Sequence, residues 1–186
     1  NPFISIITNV EEDHLDYYTN GFSDIIKTFN KYLSNKKNQK VIINTDNAGN
    51  VAFIKEYPNY NYITFGLNNA DYTLKNVEYI GFGSKFAIYY KGSKIDEIEL
   101  SVPGEHNVYN ALAVYASLKE AGIDTQKITE HFKTFSGMGR RFQKVCEYNN
   151  IKIYDDYAHH PSEIKTTLDS VLKAKQKEQR IVAIFQ

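Results

Sequence analysis

Strand-like and helix-like patterns of apolar residues alternate over the first third of the chain. Apolar, β-branched runs over 3–8, 41–43 and 61–65 are typical of buried strands. Between them, apolar side chains recur at helical spacing over 22–33, and 51–56 predicts a short second helix. Because strands that alternate with helices pair in parallel, this region predicts an α/β fold with a mostly parallel sheet.

A different pattern begins near residue 71. The segments 71–80, 86–90 and 95–100 show partial apolar–polar alternation, and glycine-containing turns at 81–84 and 91–94 separate them. We therefore expect an antiparallel β meander joined to the parallel sheet.

Two helices and a hinge follow the meander. Helical patterns cover 106–121 and 124–135, and two glycines then flank Met138. Because paired glycines free the backbone, we expect a domain boundary at this point, which divides the chain into 1–136 and 137–186.

The segment after the hinge repeats the α/β pattern. It predicts strands over 142–148 and 151–154, a helix over 162–174 and a last buried strand over 180–186. A protein seldom ends on a core strand, and the start is not a signal peptide, so we expect a fragment at both ends. Such a fragment would expose sheet edges and apolar surface, and we expect self-association through them.

Composition narrows the class of protein. Of the 186 residues, 42% are hydrophobic and 24% are charged, as in globular domains. The formal net charge is zero, which gives no electrostatic argument for a nucleic-acid or membrane partner. No apolar run approaches the roughly 20 residues of a membrane span. The lone cysteine, Cys146, excludes an internal disulfide and suits a reducing cytoplasm.

The strongest candidate for chemistry is the run Asp155–Pro161, between a predicted strand and a predicted helix. Ligands of α/β sheets bind at the carboxyl ends of strands. Asp156 is suited to hydrogen-bond ribose hydroxyls, and Tyr157 and His159 are suited to orient a carboxylate or an incoming amine. Metal binding by this cluster is the alternative, although His159 and its neighbour His160 should diverge.

Two earlier stretches also carry candidate ligand groups. His14 lies among carboxylates just after the first strand, where an imidazole oriented by an acid can bind a metal ion. His106, Asn107 and Asn110 share one side of a first helical turn, where free N–H groups favour phosphate and an asparagine amide can match an adenine edge. The alternative is a set of capping and surface residues.

Two adjacent arginines, Arg140 and Arg141, follow the hinge directly. On a strand their side chains would point to opposite faces, so one could reach into a cleft between domains and clamp a phosphate. The alternative is a pair of solvated arginines.

Taken in order, these motifs resemble the Mur ligases over nearly the whole chain. The Asp155–Pro161 run and Arg140-Arg141-Phe142 are the most specific parts. The remaining matching stretches are Thr8–Glu11, Asp13–Tyr18, Val102–Gly104, His106–Val108, Asn110–Ala113 and Phe135–Met138.

The resemblance implies a three-domain ligase. Residues 1–136 would be the C-terminal part of its central ATP-binding domain, and 137–186 the start of its Rossmann-like C-terminal domain. It implies ATP and Mg²⁺ as cofactors and UDP-N-acetylmuramate and L-alanine as small-molecule substrates. The implied reaction joins the two through an acyl phosphate, in peptidoglycan synthesis in the cytoplasm.

The resemblance also assigns roles to single residues. On the metal and nucleotide side it assigns His14 to magnesium, His106, Asn107 and Asn110 to adenine, Arg141 to the nucleotide and Asp156 to ribose. On the substrate side it assigns Tyr157 and His159 to the substrate carboxylate and the incoming alanine.

The sequence departs from the family where a phosphate-binding loop would be expected. It contains no Gly-Lys-Thr or Gly-Lys-Ser, and it has no acidic magnesium ligand upstream of Asn9. We therefore expect this segment alone to be catalytically inactive. The alternatives are a related ligase that attaches recycled peptides, a non-catalytic nucleotide-binding module, and a metal hydrolase that uses His14 and the 156–160 cluster.

Overall fold

The computed structural model describes residues 2–34 and 40–184, which form a large mixed sheet with helices and a smaller β hairpin with one helix. The elements of the larger part are β1 (Ile4–Ile7), α1 (Phe22–Ser34), β2 (Lys40–Asn44), α2 (Ala48–Glu56), β3 (Asn61–Gly66), β4 (Tyr72–Ile80), β5 (Gly83–Tyr90), β6 (Ser93–Leu100), α3 (Glu105–Glu120) and α4 (Thr125–Thr134). The smaller part contains β7 (Gln143–Tyr148), β8 (Ile151–Asp155) and α5 (Pro161–Ala174).

The larger sheet has the strand order β1-β2-β3-β4-β5-β6. The first four strands pair in parallel, and β4, β5 and β6 pair antiparallel as a meander. This arrangement confirms the predicted α/β fold with a mostly parallel sheet and an appended β meander.

Strand β2 supplies side chains to two separate cores because successive side chains point to opposite faces of a sheet. Ile42 packs with α3, α4 and the meander, whereas Val41 and Ile43 pack with α1 and α2. All three side chains are fully buried. Both faces of the parallel half are therefore covered by helices, as such sheets require.

The smaller part has little core of its own. All six residues of β7 are exposed, and no residue of α5 is buried. Its two strands pair antiparallel as a hairpin. In the ranges that the structure describes, no helix is long and apolar enough to cross a membrane.

The meander turns are tighter than predicted. Gly83 already pairs with Ile80, and Ser93 with Tyr90, which leaves two-residue turns in place of the expected four. Positive φ angles at Gly81 (58°) and at Lys91 and Gly92 (46° and 85°) allow these turns, because such backbone matches the twist of paired strands.

The structure also differs from the sequence predictions at α2, at β7 and in the last predicted strand. Helix α2 starts at Ala48, not at residue 51, because the Asn47 side chain accepts from Asn50 N–H and caps it. Phe142 has a φ of 49°, so β7 starts only at Gln143. The last predicted strand, over 180–186, was wrong for the described residues 180–184, which form no strand. A strand needs a neighbouring backbone to pair with, and Ile184 is instead 93% exposed.

Candidate functional site

The loop between β8 and α5, which we call the motif loop, carries the candidate run Asp155–Pro161 and ends at the N-cap of α5. His160 is the N-cap of α5, and its Nδ1 accepts from the Ser162 N–H over 3.4 Å. The Glu163 carboxylate accepts from the His160 N–H in return, which completes a capping box. Pro161 fits the first turn because its missing N–H would have no helical acceptor. His160 therefore stabilises the start of α5.

Asp156 fixes the shape of the motif loop. Its Oδ1 accepts from the Ala158 N–H, and its Oδ2 accepts from the Phe142 N–H, each over 2.8 Å. The second bond joins the loop to the turn that follows the hinge. Each carboxylate oxygen has a second lone pair, so these bonds leave Asp156 able to accept from a ligand.

Arg140 packs against the motif loop. Its guanidinium carbon lies 4.7 Å from the centre of the Tyr157 ring, and its carbonyl accepts from the Tyr157 N–H over 2.8 Å. Its φ is 58°, so the chain turns here. The strand geometry considered for Arg140 and Arg141 does not apply, because both lie in a turn before β7.

Glu163 brings Arg141 and His159 together. Its Oε1 lies 3.5 Å from Arg141 Nη1, and its Oε2 accepts from the His159 N–H over 3.2 Å. The His159 N–H is the main cause of a lowered pKa of Glu163, with smaller contributions from the His160 N–H and from Arg141 against partial desolvation. Sequence analysis did not single out Glu163, although its place three residues after a cap is a recognisable signal.

The His159 ring has a defined tautomer when it is neutral. Its Nδ1 lies 3.0 Å from the Tyr157 carbonyl, and because a carbonyl only accepts, Nδ1 donates. Nε2 is then left as the acceptor. The Tyr157 and His159 rings meet edge to face, with centroids 5.2 Å apart, so these two predicted residues lie side by side.

His106, at the start of α3, faces the motif loop from the larger part. Partial desolvation lowers its pKa, Arg141 lowers it further, and Asp156 opposes both. Gly104 makes room for the ring: a Cβ at Gly104 would lie 2.5 Å from His106 Cε1 and 2.8 Å from Ser170 Oγ of α5. The structure therefore brings His106, Arg141 and Asp156 into one electrostatic environment.

An aromatic contact joins the two parts next to this site. The Phe142 and Tyr154 rings stack with centroids 4.4 Å apart, and Phe82 at the β4–β5 turn lies 5.8 Å from each. An ion pair between Lys173 of α5 and Glu105 of α3, 3.5 Å long, lies at the same junction.

The other predicted ligand residues have separate surroundings. Asn107 donates its amide to the Pro103 carbonyl over 2.6 Å, whereas the Asn110 side chain is exposed and makes no hydrogen bond to any residue that the structure describes. His14 is exposed, with its Nε2 3.7 Å from Asp13 Oδ2. Across 2–34 and 40–184, no hydrogen bond, ion pair or ring contact joins His14 to Asn110 or Asp156.

The start of α2 holds the loop that leads to His14. The buried Asn50 amide reaches the carbonyls of Thr8 (3.2 Å) and Asn44 (2.9 Å), and Asn47 Oδ1 accepts from the Val10 N–H over 3.1 Å. Gly49 contacts the same loop so closely that a Cβ would collide with the Val10 carbonyl. These contacts, which we call the α2 clamp, were not predicted from the sequence, because asparagines after a strand are equally typical of an ordinary turn.

Metal ligands are sparse in this arrangement. Within the described ranges, no group of three His, Cys, Asp or Glu side chains is placed to hold a metal ion. The magnesium role assigned to His14 stays a prediction.

The fold, the motif loop and the facing helix define a recognisable class of protein. Residues 1–118 match the Mur ligase middle domain, and residues 140–186 match the Mur ligase glutamate ligase domain. The chain belongs to the Mur ligase family. The predicted boundary at residue 137 falls between the two matched ranges and stays a prediction.

Relatives within the family share one description. The chain is 38% identical, over its whole length, to a UDP-N-acetylmuramate–L-alanine ligase of Geotalea daltonii, and 39% identical to one of Geobacter sp. strain M21. It spans about 40% of the length of these curated relatives.

Solved structures agree with the fold. The crystal structure of the UDP-N-acetylmuramate–alanine ligase from Thermotoga maritima superposes with a TM-score of 0.79 at 31% identity, covering 93% of this chain and 39% of that one. The UDP-N-acetylmuramoylalanyl-D-glutamyl-2,6-diaminopimelate–D-alanyl-D-alanyl ligase from Acinetobacter baumannii has the same TM-score at 18% identity, covering 94% of this chain and 38% of that one, which shows the fold alone.

Proposed function

We propose that the protein containing this segment is an ATP-dependent ligase that joins L-alanine to UDP-N-acetylmuramate through an acyl phosphate, as a step of peptidoglycan synthesis. The segment would supply part of the nucleotide site and part of the site where the amide forms. A cytoplasmic location and the absence of nucleic-acid and membrane partners belong to the same proposal.

The observation that carries this proposal is the closeness of His106 to Arg141 and Asp156, whose charges act on it across a junction that the Glu105–Lys173 ion pair also bridges. His106 comes from the part that matches the middle domain, and the other two come from the part that matches the C-terminal domain. A polar site between two domains is where a nucleotide and a second substrate can be brought together. Relatives that are similar over both parts carry the name of this ligase.

On the nucleotide side, the proposed contacts come from α3 and the motif loop. Asn110 has an exposed amide that can both donate to and accept from an adenine edge. Asn107 uses one amide N–H on the Pro103 carbonyl, which leaves its second N–H and its side-chain oxygen for a ligand. Asp156 would accept from ribose hydroxyls, and Arg141, held by Glu163, would neutralise phosphate charge.

On the substrate side, Tyr157 and His159 are the proposed residues. His159 is fixed by its bond to the Tyr157 carbonyl and by Glu163, which leaves Nε2 of the neutral ring as an acceptor. That nitrogen is suited to orient the amine of L-alanine or to take a proton from it.

His14 is the proposed magnesium ligand. Its imidazole is exposed and lies next to the Asp13 carboxylate. It would fill one position in the coordination sphere of an ion that is otherwise held by water and phosphate oxygens. Magnesium, when bound, neutralises charge on the phosphate groups. The chain's own contribution is to hold His14 through the α2 clamp on its loop.

The test is a substrate comparison on the full-length protein. Phosphate release from ATP and amide formation are measured with UDP-N-acetylmuramate and either L-alanine or a short stem peptide. We expect turnover with L-alanine that requires the UDP-sugar and Mg²⁺. Turnover only with the peptide would identify a ligase for recycled peptides, and nucleotide binding without turnover would identify a non-catalytic module; either result contradicts the proposal.

Two further expectations stay with this proposal. The segment 1–186 alone should show no turnover in the same assay. Self-association also stays a prediction, since β1 and β6 are the outer strands of the larger sheet, and Phe3 next to β1 is 66% exposed. Sedimentation of the segment over a range of concentrations would test it.

A further inference from the structure

Tyr109 joins two segments that are far apart in the sequence. It lies on α3, one residue before Asn110, and its hydroxyl donates to Asp46 Oδ2 over 3.0 Å. Asp46 lies two residues after the end of β2, at the carboxyl end of the parallel strands. Neither residue was a candidate from the sequence, and neither has a place in the function proposed above.

Asp46 is anchored to the sheet independently of Tyr109. The same Oδ2 accepts from the Leu67 N–H, just after β3, over 2.6 Å. Gly66 permits this close approach, because a Cβ there would lie 2.9 Å from Asp46 Oδ2. The carboxylate therefore has a fixed position relative to the ends of both β2 and β3.

The start of α3 needs such an anchor. Its N-cap is Gly104, which provides no side-chain hydrogen bond to the first turn. The first turn is held instead by the local bond from Asn107 to Pro103 and by the ion pair of Glu105 with Lys173, and the next turn by the long-range bond from Tyr109 to Asp46. Burial and the neighbouring Asp46 carboxylate raise the pKa of Tyr109, which keeps its hydroxyl protonated as a donor.

We propose that Tyr109 and Asp46 are positioning residues that set the place of Asn110 relative to the sheet, and so tune nucleotide affinity without contacting the nucleotide. This inference rests on the proposed function, in which Asn110 contacts adenine. A loss of the Tyr109 hydroxyl would let the first turns of α3 shift, and adenine recognition by a bidentate amide depends on that position.

The chain offers a matched control on the same helix. Tyr115 donates its hydroxyl to Asp96 Oδ2, also over 3.0 Å, but it lies further along α3 and is fully buried. Tyr115→Phe removes an equivalent bond from α3, away from Asn110. A merely structural role for Tyr109 would make the two substitutions alike.

The experiment measures the KM and the Kd for ATP of the full-length protein and of Tyr109→Phe, Tyr115→Phe, Asp46→Ala and Asp46→Asn. A hydrogen bond of ordinary strength corresponds to about three- to tenfold in an equilibrium constant. We expect Tyr109→Phe and Asp46→Ala to raise the KM and the Kd for ATP by about that factor, with kcat and the KM for L-alanine little changed. Asp46→Asn keeps an acceptor oxygen and should restore most of the affinity, and Tyr115→Phe should leave it unchanged.

Asn110→Ala separates the failure of this inference from the failure of the proposed function. If Asn110→Ala weakens ATP binding and Tyr109→Phe does not, or if Tyr115→Phe weakens it equally, the positioning role is wrong and the nucleotide site stands. If Asn110→Ala leaves ATP binding unchanged, the proposed adenine contact is wrong and the positioning role falls with it. Should Asp46→Ala fail to fold, Tyr109→Phe and Asp46→Asn still decide the question.

Discussion

The two parts of this chain are held in shape by different forces. In the larger part, helices on both faces of the sheet bury two apolar cores, and Leu112 and Ile42 are fully inaccessible. In the smaller part, no residue of α5 is buried and β7 is exposed throughout. Its loops are shaped instead by hydrogen bonds from Asp156 and Glu163 to backbone N–H groups. Apolar burial stabilises the sheet and helices of the larger part, and hydrogen bonds hold the candidate ligand groups of the smaller part in place.

Matched leucines on two helices should show the largest effect. Leu112→Ala in α3 removes a fully buried side chain, and we expect it to lower the free energy of unfolding by about 2–5 kcal/mol. Leu172→Ala in α5 removes a side chain that is 55% exposed, so its effect should stay within about 1 kcal/mol. Urea unfolding of both variants measures the difference, and equal losses would contradict the contrast between the two parts.

A smaller effect is expected at the aromatic contact between the parts. Phe82→Ala removes the ring that lies against Phe142 and Tyr154, at a cost of about 1 kcal/mol to their association. Because the connecting segment would then open more often, we expect faster cleavage near Gly137 in limited proteolysis. Phe3→Ala is a control, since Phe3 is 66% exposed and forms no ring contact with the described residues of the smaller part. Unchanged cleavage in Phe82→Ala would show that the remaining contacts between the two parts are enough to keep the connecting segment closed.

The smallest effect is the pH dependence of the α5 cap. The pKa of Glu163 is lowered from 4.5, so its charged form stabilises the cap above that pH, and this contribution is lost as the pH falls through the lowered value. We expect exchange of the His159 and His160 amide hydrogens, relative to that of the Tyr157 amide bound by the Arg140 carbonyl, to become faster below about pH 4.5. Glu163→Gln should abolish the change, and an unchanged profile in that variant would assign it to another group.

The sequence was informative about the fold wherever local pattern decides structure. Alternation of strands and helices predicted the parallel sheet, and the glycine-containing turns predicted the meander. The strand predicted over 180–186 failed in its described part because a β-branched run forms a strand only beside another strand. The start of α2 shifted because the Asn47 cap has a stronger effect than the apolar spacing used to place it.

The candidate site was only partly predictable. The motif loop stood out because two acids, a phenol and two imidazoles have no role in an ordinary turn. The bond between Tyr109 and Asp46 could not be predicted, because it joins residues 63 positions apart and depends on how α3 lies on the sheet. The roles assigned to His14, His106, Asn107, Asn110, Arg141, Asp156, Tyr157 and His159 stay predictions.

The buried amide of Asn50 has a consequence for how the sheet is assembled. Strand β2 is apolar on both faces, so sliding it by one residue would exchange one set of buried aliphatic groups for another. Burial of apolar side chains alone therefore gives little free-energy penalty for a shifted strand register. The Asn50 amide reaches the carbonyls of Ile7, Thr8 and Asn44 only when β1 and β2 end level with each other. The hydrogen bonds of this one amide thus favour a single register of β1 and β2. The same register sets where the His14 loop leaves the sheet.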